Sequence, residues 1–296
     1  MRVLVTGAGG FVGGRLVRHL SSRHELYALA RRPPPPALAD RAQWIEQDLC
    51  TLDAGALPDR VDGIVHLAQS ERYRAFPQGA ADVFAVNVAS TFGLLEYAAR
   101  AGARAFVLAS TGGVYGYRDH PISELRDEPR PSSFYFRSKR SAELLAEAYA
   151  EQFAVVVVRP FFVYGAGQRR MLISALIDKV TAGEPVVVDG EPGLMINPIH
   201  VDDAVRAFEP ALELGRSATV NLAGAERVTI TDLVRLIGDV AGRTPAISHN
   251  AAQPEGDLVA DIGRMRELLG VTPGIALADG LREAMSARPP AAPSGR

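Results

Sequence analysis

Tyr135 and Lys139 are the residues whose types and spacing point most directly to chemistry. They lie four positions apart in SSFYFRSKRSAELL, a stretch with helical periodicity, so both side chains are expected on one helix face. A phenol has a pKa of about 10, and a neighbouring ammonium would lower that value toward the range useful for proton transfer. Among 32 basic residues only Lys139 and Lys179 are lysines. Taken alone, a Tyr-x-x-x-Lys pair is more typical of a half-exposed helix face.

Thr111 is a third candidate for the same site. It follows the apolar run Ala105–Ala109 and is the first residue of Thr-Gly-Gly-Val-Tyr-Gly. Ligands of open α/β sheets bind beyond the carboxyl ends of the parallel strands, and Thr111 stands at such an end. Its hydroxyl is expected to hold a substrate oxygen beside Tyr135. The alternative is a turn-forming hydroxyl next to glycines.

A glycine-rich turn near the start of the chain predicts a phosphate site. Gly7, Gly10 and Gly13 lie between the apolar run Val3–Thr6 and the helical stretch Phe11–Leu20. Glycine permits a tight turn and a close approach of the backbone to a pyrophosphate, and a helix N-terminus attracts anions. Placement at a strand-to-helix junction predicts a dinucleotide, whereas the spacing alone would fit a ligand-free turn equally well.

The end of the second predicted strand distinguishes between two cofactors. A carboxylate there would accept the adenosine ribose hydroxyls and select NAD(H). The chain instead has Arg31 and Arg32, which suit a 2′-phosphate, so NADP(H) is preferred and NAD(H) is possible. The alternative is that these arginines begin a solvated helix or stack on adenine. Asp48 is a candidate partner for the adenine amino group, or else an ordinary loop carboxylate.

The elements that must position these residues follow from alternating apolar runs and amphipathic stretches. The predicted buried strands are Val3–Thr6, Glu25–Leu29, Trp44–Ile45, Gly63–Leu67, Ala105–Ala109 and Val155–Arg159. Further helices are predicted at Val201–Leu214, Thr229–Val240, Ile262–Leu269 and Ala276–Met285. Strand–helix alternation predicts an α/β fold, a doubly wound parallel sheet of the Rossmann type with a smaller C-terminal α/β substrate-binding portion.

The same pattern predicts the domain organisation. Residues 1–165 are expected to form the dinucleotide-binding domain, with later segments returning to it. Residues 166–286 are expected to form mainly the substrate-binding portion, and residues 287–296 a flexible tail.

Composition narrows the classes of partner. The 296 residues are 47% hydrophobic and 22% charged, which excludes a wholly disordered chain. A net charge of −2 provides no general attraction for nucleic acid or an anionic membrane, and no apolar run is long enough to span one. The single Cys50 cannot build a disulfide framework or a thiolate metal cluster. Without a secretion signal, we expect a soluble, cytoplasmic protein with a small-molecule substrate and no metal.

A series of motifs occurs in a characteristic order between residue 1 and about residue 285. They are TGAGGFVG from Thr6, HLAQ at His66–Gln69, Asn87 in NVAST, STGGVYG from Ser110, YFRSK from Tyr135, RPFFVYGAGQ from Arg159 and NPIHVDDA from Asn197. Together they resemble the extended short-chain dehydrogenase/reductase family, in its nucleotide-sugar epimerase/dehydratase group.

The resemblance implies roles for particular residues. Tyr135 would be the acid/base, Lys139 its partner and a ribose ligand, and Thr111 the hydroxyl that polarises the reacting carbonyl. Further cofactor contacts expected beside those above are Phe11, Val12, Leu49, Leu67, Ala68, Gln69, Asn87 and Phe162. Family members are frequently dimers through a four-helix contact, for which Val83–Arg100 and Ser133–Glu151 are candidates; buried core helices would look the same.

The chain departs from the family pattern at several positions. Dehydratases carry an Asp-Glu pair where this sequence has Gly112 and Gly113, so elimination of water by that mechanism is not expected. The side chains that hold a nucleotide diphosphate in the relatives are replaced by Phe162, Ile196 and Pro254. A nucleotide sugar therefore needs other cations, and the candidates are Arg118, Arg169 and Arg170.

Two further interpretations concern substrate contacts and the His200 region. Gly113 and Phe162 are candidate substrate contacts, and Phe161, Phe162 and Tyr164 would alternatively suit a smaller or more apolar substrate. A metal site at His200, Asp202 and Asp203 is rejected, because this motif resembles a strand-to-helix junction capped by an aspartate.

The sequence as a whole predicts an NADPH-dependent ketoreductase or dehydrogenase acting on a sugar-like or polyketide-like molecule. One alternative is a nucleotide-sugar 4-epimerase with a retained NAD(P). The other is a non-catalytic NADP-binding redox sensor.

Overall fold

A seven-stranded parallel sheet forms the centre of the protein, in a computed structural model that describes residues 1–252 and 255–288. The strand order is β11-β6-β5-β4-β1-β2-β3. The strands are β1 (Arg2–Thr6), β2 (Glu25–Ala30), β3 (Gln43–Glu46), β4 (Gly63–His66), β5 (Ala105–Ala109), β6 (Ala154–Pro160) and β11 (Ala218–Leu222). This confirms the predicted doubly wound α/β fold.

Helices cover both faces of the sheet, which is why its strands are almost continuously apolar. The helices are α1 (Phe11–Leu20), α2 (Ala80–Phe84), α3 (Ser90–Ala101), α4 (Phe134–Glu147), α5 (Leu172–Ala182), α6 (Val201–Val205), α7 (Phe208–Glu213), α8 (Ile230–Ala241), α9 (Gly263–Leu269) and α10 (Leu277–Ser286). A π-helical turn at Ala85–Ala89 joins α2 to α3. The core side chains of β1 and β4, such as Val5 and Val65, are fully buried.

The strand order reverses at β1, which pairs with β2 on one side and β4 on the other. Such a switch point leaves a crevice at the carboxyl ends of the strands, and ligands bind there in this class of sheet. Strand β4 ends at His66, one residue before the predicted end, and the following residues enter the loop that lines this crevice.

Strand β11 returns to the main sheet from late in the chain, where it pairs in parallel with β6. The remaining short strands form two-stranded pairs. They are β7 (Val163–Tyr164) with β10 (Ile199–His200), β9 (Met195–Ile196) with β12 (Val228–Thr229), and β8 (Val186–Asp189) with β13 (Ile247–Asn250). A separate apolar cluster packs α5, α8 and α10 around Ile177, Leu233 and Leu281. The division at residue 165 stays a prediction.

The prediction of one continuous helix over Val201–Leu214 is wrong. The chain forms α6 and α7 with a break at residues 206–207. Pro210 explains the break, because its ring has no N–H to donate and would collide with the carbonyl of Arg206 in a continuous helix. The other predicted helices agree with the structure except at their ends and at the π-helical turn.

The proposed dimer helices expose part of their apolar surface. Phe84, Phe92 and Leu144 have half or more of their area exposed. Asn87 bonds to Ser138 and Glu96 to Tyr149, so α3 and α4 lie side by side. The homodimer stays a prediction. Over the residues that the structure describes, none of the helices combines the length and apolarity needed to cross a bilayer.

A buried ion pair attaches helix α4 to strand β6. The Arg159 guanidinium donates to both Glu143 carboxylate oxygens, at 2.9 and 2.6 Å. Arg140 donates to the same carboxylate at 2.9 Å, and Glu143 is fully buried. The Arg159 guanidinium also lies 4.6 Å from the centre of the Tyr115 ring. These contacts fix the distance and rotation of α4 relative to the sheet.

Replacing Glu143 by Gln should lower the free energy of unfolding by about 3 kcal/mol, because it leaves the buried Arg159 charge without a counter-charge. Urea denaturation measures the change. The matched control is Glu147→Gln, since Glu147 is the exposed partner of Arg140, and that variant should lose less than about 0.5 kcal/mol. Equal losses in the two variants would contradict the role of the buried pair.

Candidate active site

A single large cleft follows the carboxyl edge of the main sheet. Its volume is about 1430 Å³, and it is lined by the segments that follow β1, β2, β4, β5 and β6 and by the start of α4. Small-molecule pockets usually occupy about 300–1,000 Å³, so the cleft has room for two ligands side by side. Most of the predicted site residues line it.

The glycine turn has the geometry that a phosphate site requires. Gly7 has a φ of +66°, and the Gly10 N–H donates to its carbonyl at 2.9 Å. A Cβ on Gly13 would overlap the Gly7 carbonyl, so only glycine allows this packing. Helix α1 has no acidic residue in its first turn and no side-chain cap at Gly10. Its N-terminal amides are therefore free of a competing carboxylate and suit an anion.

The end of the cleft beyond β2 and β3, where the sequence predicts the adenosine, contains Arg31, Arg32 and Asp48. The Arg31 guanidinium lies 3.2 Å from the carboxylate of Glu71, a residue of the loop after β4. Both side chains are largely exposed, which makes this contact weak and easily exchanged. Asp48 caps the short helical turn that follows it by accepting from the Cys50 N–H at 2.9 Å. One of its oxygens is thus already engaged.

Tyr135 and Lys139 lie on one face of α4, whose start is fixed by Ser133 accepting from the Phe136 N–H at 3.2 Å. Lys139 is 2% exposed, and its burial lowers the pKa of the ammonium to about 8 against a smaller opposing effect of Glu143. Burial raises the pKa of Tyr135, with Tyr73 adding to the effect. This direction is opposite to the one expected from a neighbouring ammonium, because burial removes the hydration that a phenolate needs.

The Tyr135 hydroxyl donates to the Gln69 side-chain oxygen at 2.7 Å. Gln69 belongs to the loop after β4, so this bond joins helix α4 to the edge of the sheet at the cleft. No hydrogen bond between Tyr135 and Thr111 occurs among the described residues. The sequence had predicted Gln69 only as a cofactor contact.

Thr111 lines the cleft and also caps a short turn. Its hydroxyl accepts from the Gly113 N–H at 3.2 Å, where the 3₁₀ turn Gly112–Tyr115 begins. A turn-forming hydroxyl and a hydroxyl that faces a ligand are therefore compatible at this position. The residues that follow β5, from Ser110 to Gly113, therefore line the cleft.

Aromatic rings fill the space beside Gly112 and Gly113. A Cβ on Gly112 would meet the Phe161 ring, and one on Gly113 would overlap the Phe136 ring. Neither position has room for an acidic side chain unless these rings move. The packing at Gly112 and Gly113 therefore excludes the Asp-Glu pair of the dehydratases.

The remaining predicted residues divide between the wall of the cleft and positions outside it. Those on the wall are Gly7, Gly10, Phe11, Val12, Gly13, Leu49, Leu67, Ala68, Gln69, Gly113, Phe162 and Arg169. Lys139, Asn87 and Arg170 do not contribute to the wall. Lys139 and Asn87 are buried behind it, and Arg170 is exposed with a φ of +60°.

Asn87 holds two parts of the site together. Its side-chain oxygen accepts from the Ser70 N–H at 3.0 Å, and its side-chain nitrogen donates to the Ser138 hydroxyl at 3.0 Å. The Ser138 hydroxyl donates in turn to the Tyr135 carbonyl at 2.7 Å. Asn87 therefore lies behind the wall of the cleft and connects the loop after β4 with α4.

The prediction that Arg118 is a cation available to a diphosphate is wrong. Its guanidinium donates to the carbonyls of Tyr117 and Glu128 and lies near the Asp127 carboxylate. Ile196 is fully buried in β9, and Pro254 lies outside the described residues.

The junction after β10 is built differently from the expected aspartate cap. His200 caps α6 by accepting from the Asp202 N–H, whereas Asp203 accepts from the Gly274 and Ile275 N–H groups. The expectation of an aspartate as the helix cap is thus wrong, because Asp203 is engaged by another segment. His200, Asp202 and Glu283 do have ligand atoms within 4.8 Å of one another.

Sequence reasoning missed most of the loop between β4 and α2, which forms part of the wall of the cleft. The residues concerned are Ser70, Tyr73, Arg74 and Phe76, together with Phe134 and Met171 opposite. The Phe76 and Phe134 rings stack at 5.0 Å, and the Tyr73 hydroxyl contacts the Met171 sulfur at 3.3 Å. The signal available in the sequence was the pair of aromatic residues, Tyr73 and Phe76, that follows the HLAQ motif.

Comparison with known proteins agrees with this geometry. A family model described as the NAD dependent epimerase/dehydratase family matches residues 3–223. The chain is 33% identical over 297 residues to a dTDP-4-dehydro-6-deoxy-D-allose reductase of Streptomyces bikiniensis, covering 92% of this chain and 91% of that one. It is 30% identical over 303 residues to an uncharacterized UDP-glucose epimerase, YtcB, of Bacillus subtilis (strain 168), covering 95% and 96%.

A solved structure shares the whole architecture. MoeE5 in complex with UDP-glucuronic acid and NAD superposes with a TM-score of 0.86 at 32% identity, over 97% of this chain and 98% of that one. Since the family match extends through the entire cleft-forming sheet and the relatives align over nearly the full chain, the protein belongs to the NAD-dependent epimerase/dehydratase family of extended short-chain dehydrogenases/reductases.

Proposed function

We propose that the protein transfers hydride at a carbonyl or secondary alcohol of a sugar-like substrate, with NADPH-dependent reduction of a ketone as its preferred reaction. One observation carries this proposal: a phosphate-binding glycine turn, Thr111 and the Tyr135 face of α4 meet in one cleft. The buried ammonium of Lys139 lies one helical turn from Tyr135 on the same face.

The cleft fits a nicotinamide dinucleotide. The Gly7–Gly13 turn leaves backbone amides open to a pyrophosphate, and Arg31 and Arg32 stand at the adenosine end. When bound, the nicotinamide supplies or accepts the hydride. The arginines support NADP(H), whereas the Glu71 carboxylate beside Arg31 and the NAD in MoeE5 support NAD(H) as the second possibility.

The protein's own residues would manage the proton and the developing charge. Tyr135 would give its hydroxyl proton to the substrate oxygen in reduction, or take it in oxidation. Thr111 would donate a hydrogen bond to that oxygen, and the Lys139 charge would stabilise the phenolate. Removal of water is not supported, since Gly112 and Gly113 carry no acid and aromatic rings occupy the space.

The substrate end favours a nucleotide-linked keto sugar. Arg74 and Arg169 both line the cleft and are the cations we assign to a diphosphate, in place of the side chains that the family pattern has at Phe162 and Ile196. Phe162 keeps a φ of +45° on the cleft wall, a rare backbone state that functional sites often hold. The relatives named for dTDP-sugar and UDP-sugar substrates support the same class.

A 4-epimerase that retains its cofactor is the second candidate. The similarity to YtcB, which is named as a UDP-glucose epimerase, favours it, and the same three residues would serve its oxidation and re-reduction. The two reactions differ in stoichiometry: a reductase consumes one NADPH per product, and an epimerase consumes none. A non-catalytic redox sensor would need neither Tyr135 nor Lys139.

Tyr135→Phe should lower turnover by about 10²–10⁴-fold while leaving cofactor affinity within a few-fold, because only the transferable proton is lost. Steady-state kinetics with a panel of nucleotide-linked keto sugars, and calorimetry with NADP⁺ and NAD⁺, measure the two quantities. Wild-type turnover in this variant would contradict the acid/base role, and a sensor would be unaffected by the change.

The free energy of unfolding should rise with pH between about 8 and 10.5 through Lys139. Its lowered pKa means that the folded protein releases this proton at about 8, whereas the unfolded chain keeps it up to the ordinary value of 10.5. The gain amounts to at most about 3 kcal/mol. Denaturation of the wild type and of Lys139→Met across this window measures it; parallel curves for the two proteins would contradict the buried ammonium.

Arg31→Ala with Arg32→Ala should weaken NADP⁺ binding by about 10-fold or more relative to NAD⁺, since charged hydrogen bonds contribute about 1.5–3 kcal/mol. The matched control is Glu71→Gln, which removes the carboxylate competing for Arg31 and should strengthen NADP⁺ binding. Calorimetric titration of both cofactors gives the ratio. Equal losses for NAD⁺ and NADP⁺ would refute NADP(H) selection by these arginines.

A further inference from the structure

The hydroxyl of Tyr135 has one recorded hydrogen-bond partner among the described residues, the side-chain oxygen of Gln69 at 2.7 Å. The two residues are 66 positions apart, and both line the cleft. The surroundings of the phenol are otherwise largely aromatic, with the Tyr73 ring at 5.0 Å and the Phe136 ring at 5.5 Å from its own. The carboxamide is therefore placed to control the reacting oxygen.

Both ends of this contact are held by the same buried residue. Asn87 accepts from the Ser70 N–H, directly after Gln69, and donates to Ser138, which donates to the Tyr135 carbonyl. Ser70 is fixed a second time through its hydroxyl by Asp82. The loop and the helix thus meet at a fixed spacing, so the contact between Gln69 and Tyr135 depends on anchored backbone at both ends.

A carboxamide is chemically suited to both states of a phenol. Its oxygen accepts from the neutral hydroxyl, as the structure has it, and its NH₂ group donates to a phenolate after rotation about one side-chain bond. A carboxylate offers only acceptors, and an alanine offers neither. Of these three side chains, only glutamine can both accept from the phenol and donate to the phenolate.

We propose that Gln69 is a positioning residue for Tyr135, holding the phenol oxygen at the sheet edge and exchanging its amide oxygen for its amide N–H when the proton leaves. The proposal rests on the acid/base role of Tyr135 proposed above. In the reducing direction, hydride from the reduced nicotinamide adds to the carbonyl carbon. The Tyr135 O–H bond breaks, and its proton goes to the resulting alkoxide oxygen. The phenolate accepts from the Gln69 N–H until solvent returns a proton.

Graded pH shifts in two variants test this role. In Gln69→Glu, the carboxylate accepts from the neutral phenol and repels the phenolate, so the pKa governing kcat should rise by about one unit or more. In Gln69→Ala, the acceptor for the neutral phenol and the stronger, charge-assisted donor for the phenolate are both lost, so that pKa should rise by a smaller amount and kcat should drop while KM changes little. Profiles of kcat against pH at saturating cofactor measure both.

A second readout does not depend on turnover. The absorbance of tyrosinate near 295 nm is titrated in each variant and in the same variant carrying Tyr135→Phe, and the difference isolates Tyr135. Gln78→Glu adds the same charge to the same loop outside the cleft wall and should leave both profiles unchanged.

The outcomes separate this inference from the proposed function. A rise in both Gln69 variants that is larger in Gln69→Glu, with no shift at Gln78, supports the positioning role. Loss of turnover in Tyr135→Phe without any shift in the Gln69 variants, or with a fall of the pKa in Gln69→Ala, overturns it and leaves the acid/base assignment intact. Full turnover in Tyr135→Phe overturns both.

Discussion

The attachment of helix α4 to the sheet is the constraint on which the site depends. Glu143, Lys139 and Tyr135 follow one another at intervals of four along one face of that helix, so fixing one fixes the others. The Arg159 guanidinium holds the Glu143 carboxylate from β6 in a fully buried, two-point contact. Because neither charge can leave the other without an uncompensated buried ion, the helix keeps one rotation about its axis.

The same carboxylate has an electrostatic effect on the reactive part of the helix. Lys139 is almost completely removed from solvent, and burial alone would favour loss of its proton. The nearby charge of Glu143 opposes that loss, although two arginines already neutralise much of it. A buried ammonium with a pKa of about 8 results, beneath a phenol whose own pKa is raised.

The packing of glycines against aromatic rings beyond the end of β5 bears on the reaction proposed for the cleft. Gly112 and Gly113 bring the backbone close to Phe161 and Phe136, which form an apolar wall where an acid pair would otherwise stand. In the proposed function, Thr111 and Tyr135 are the polar groups beside this wall that face a substrate oxygen. The proposed chemistry is therefore hydride and proton transfer at one carbon, and the arginines that line the cleft would select the group that carries that carbon.

The sequence alone determined the features that depend on neighbouring residues. The Gly7–Gly13 turn, the buried strands and the shared face of Tyr135 and Lys139 follow from spacing within one turn or one strand, and the family motifs follow from the same local patterns. Hydrophobic periodicity alone was not sufficient everywhere, since it predicted one helix where Pro210 separates α6 from α7.

Only the tertiary structure decided how distant segments meet. The partner of Tyr135 is Gln69, the partner of Arg31 is Glu71, and Arg118 is engaged by its surroundings and so unavailable to a ligand. Such contacts depend on the crossing of loops from different strands, and on a balance of hydration and charge that spacing does not encode. For that reason the residues of the site were recognisable from the sequence, whereas the direction of the pKa shift of Tyr135 was not.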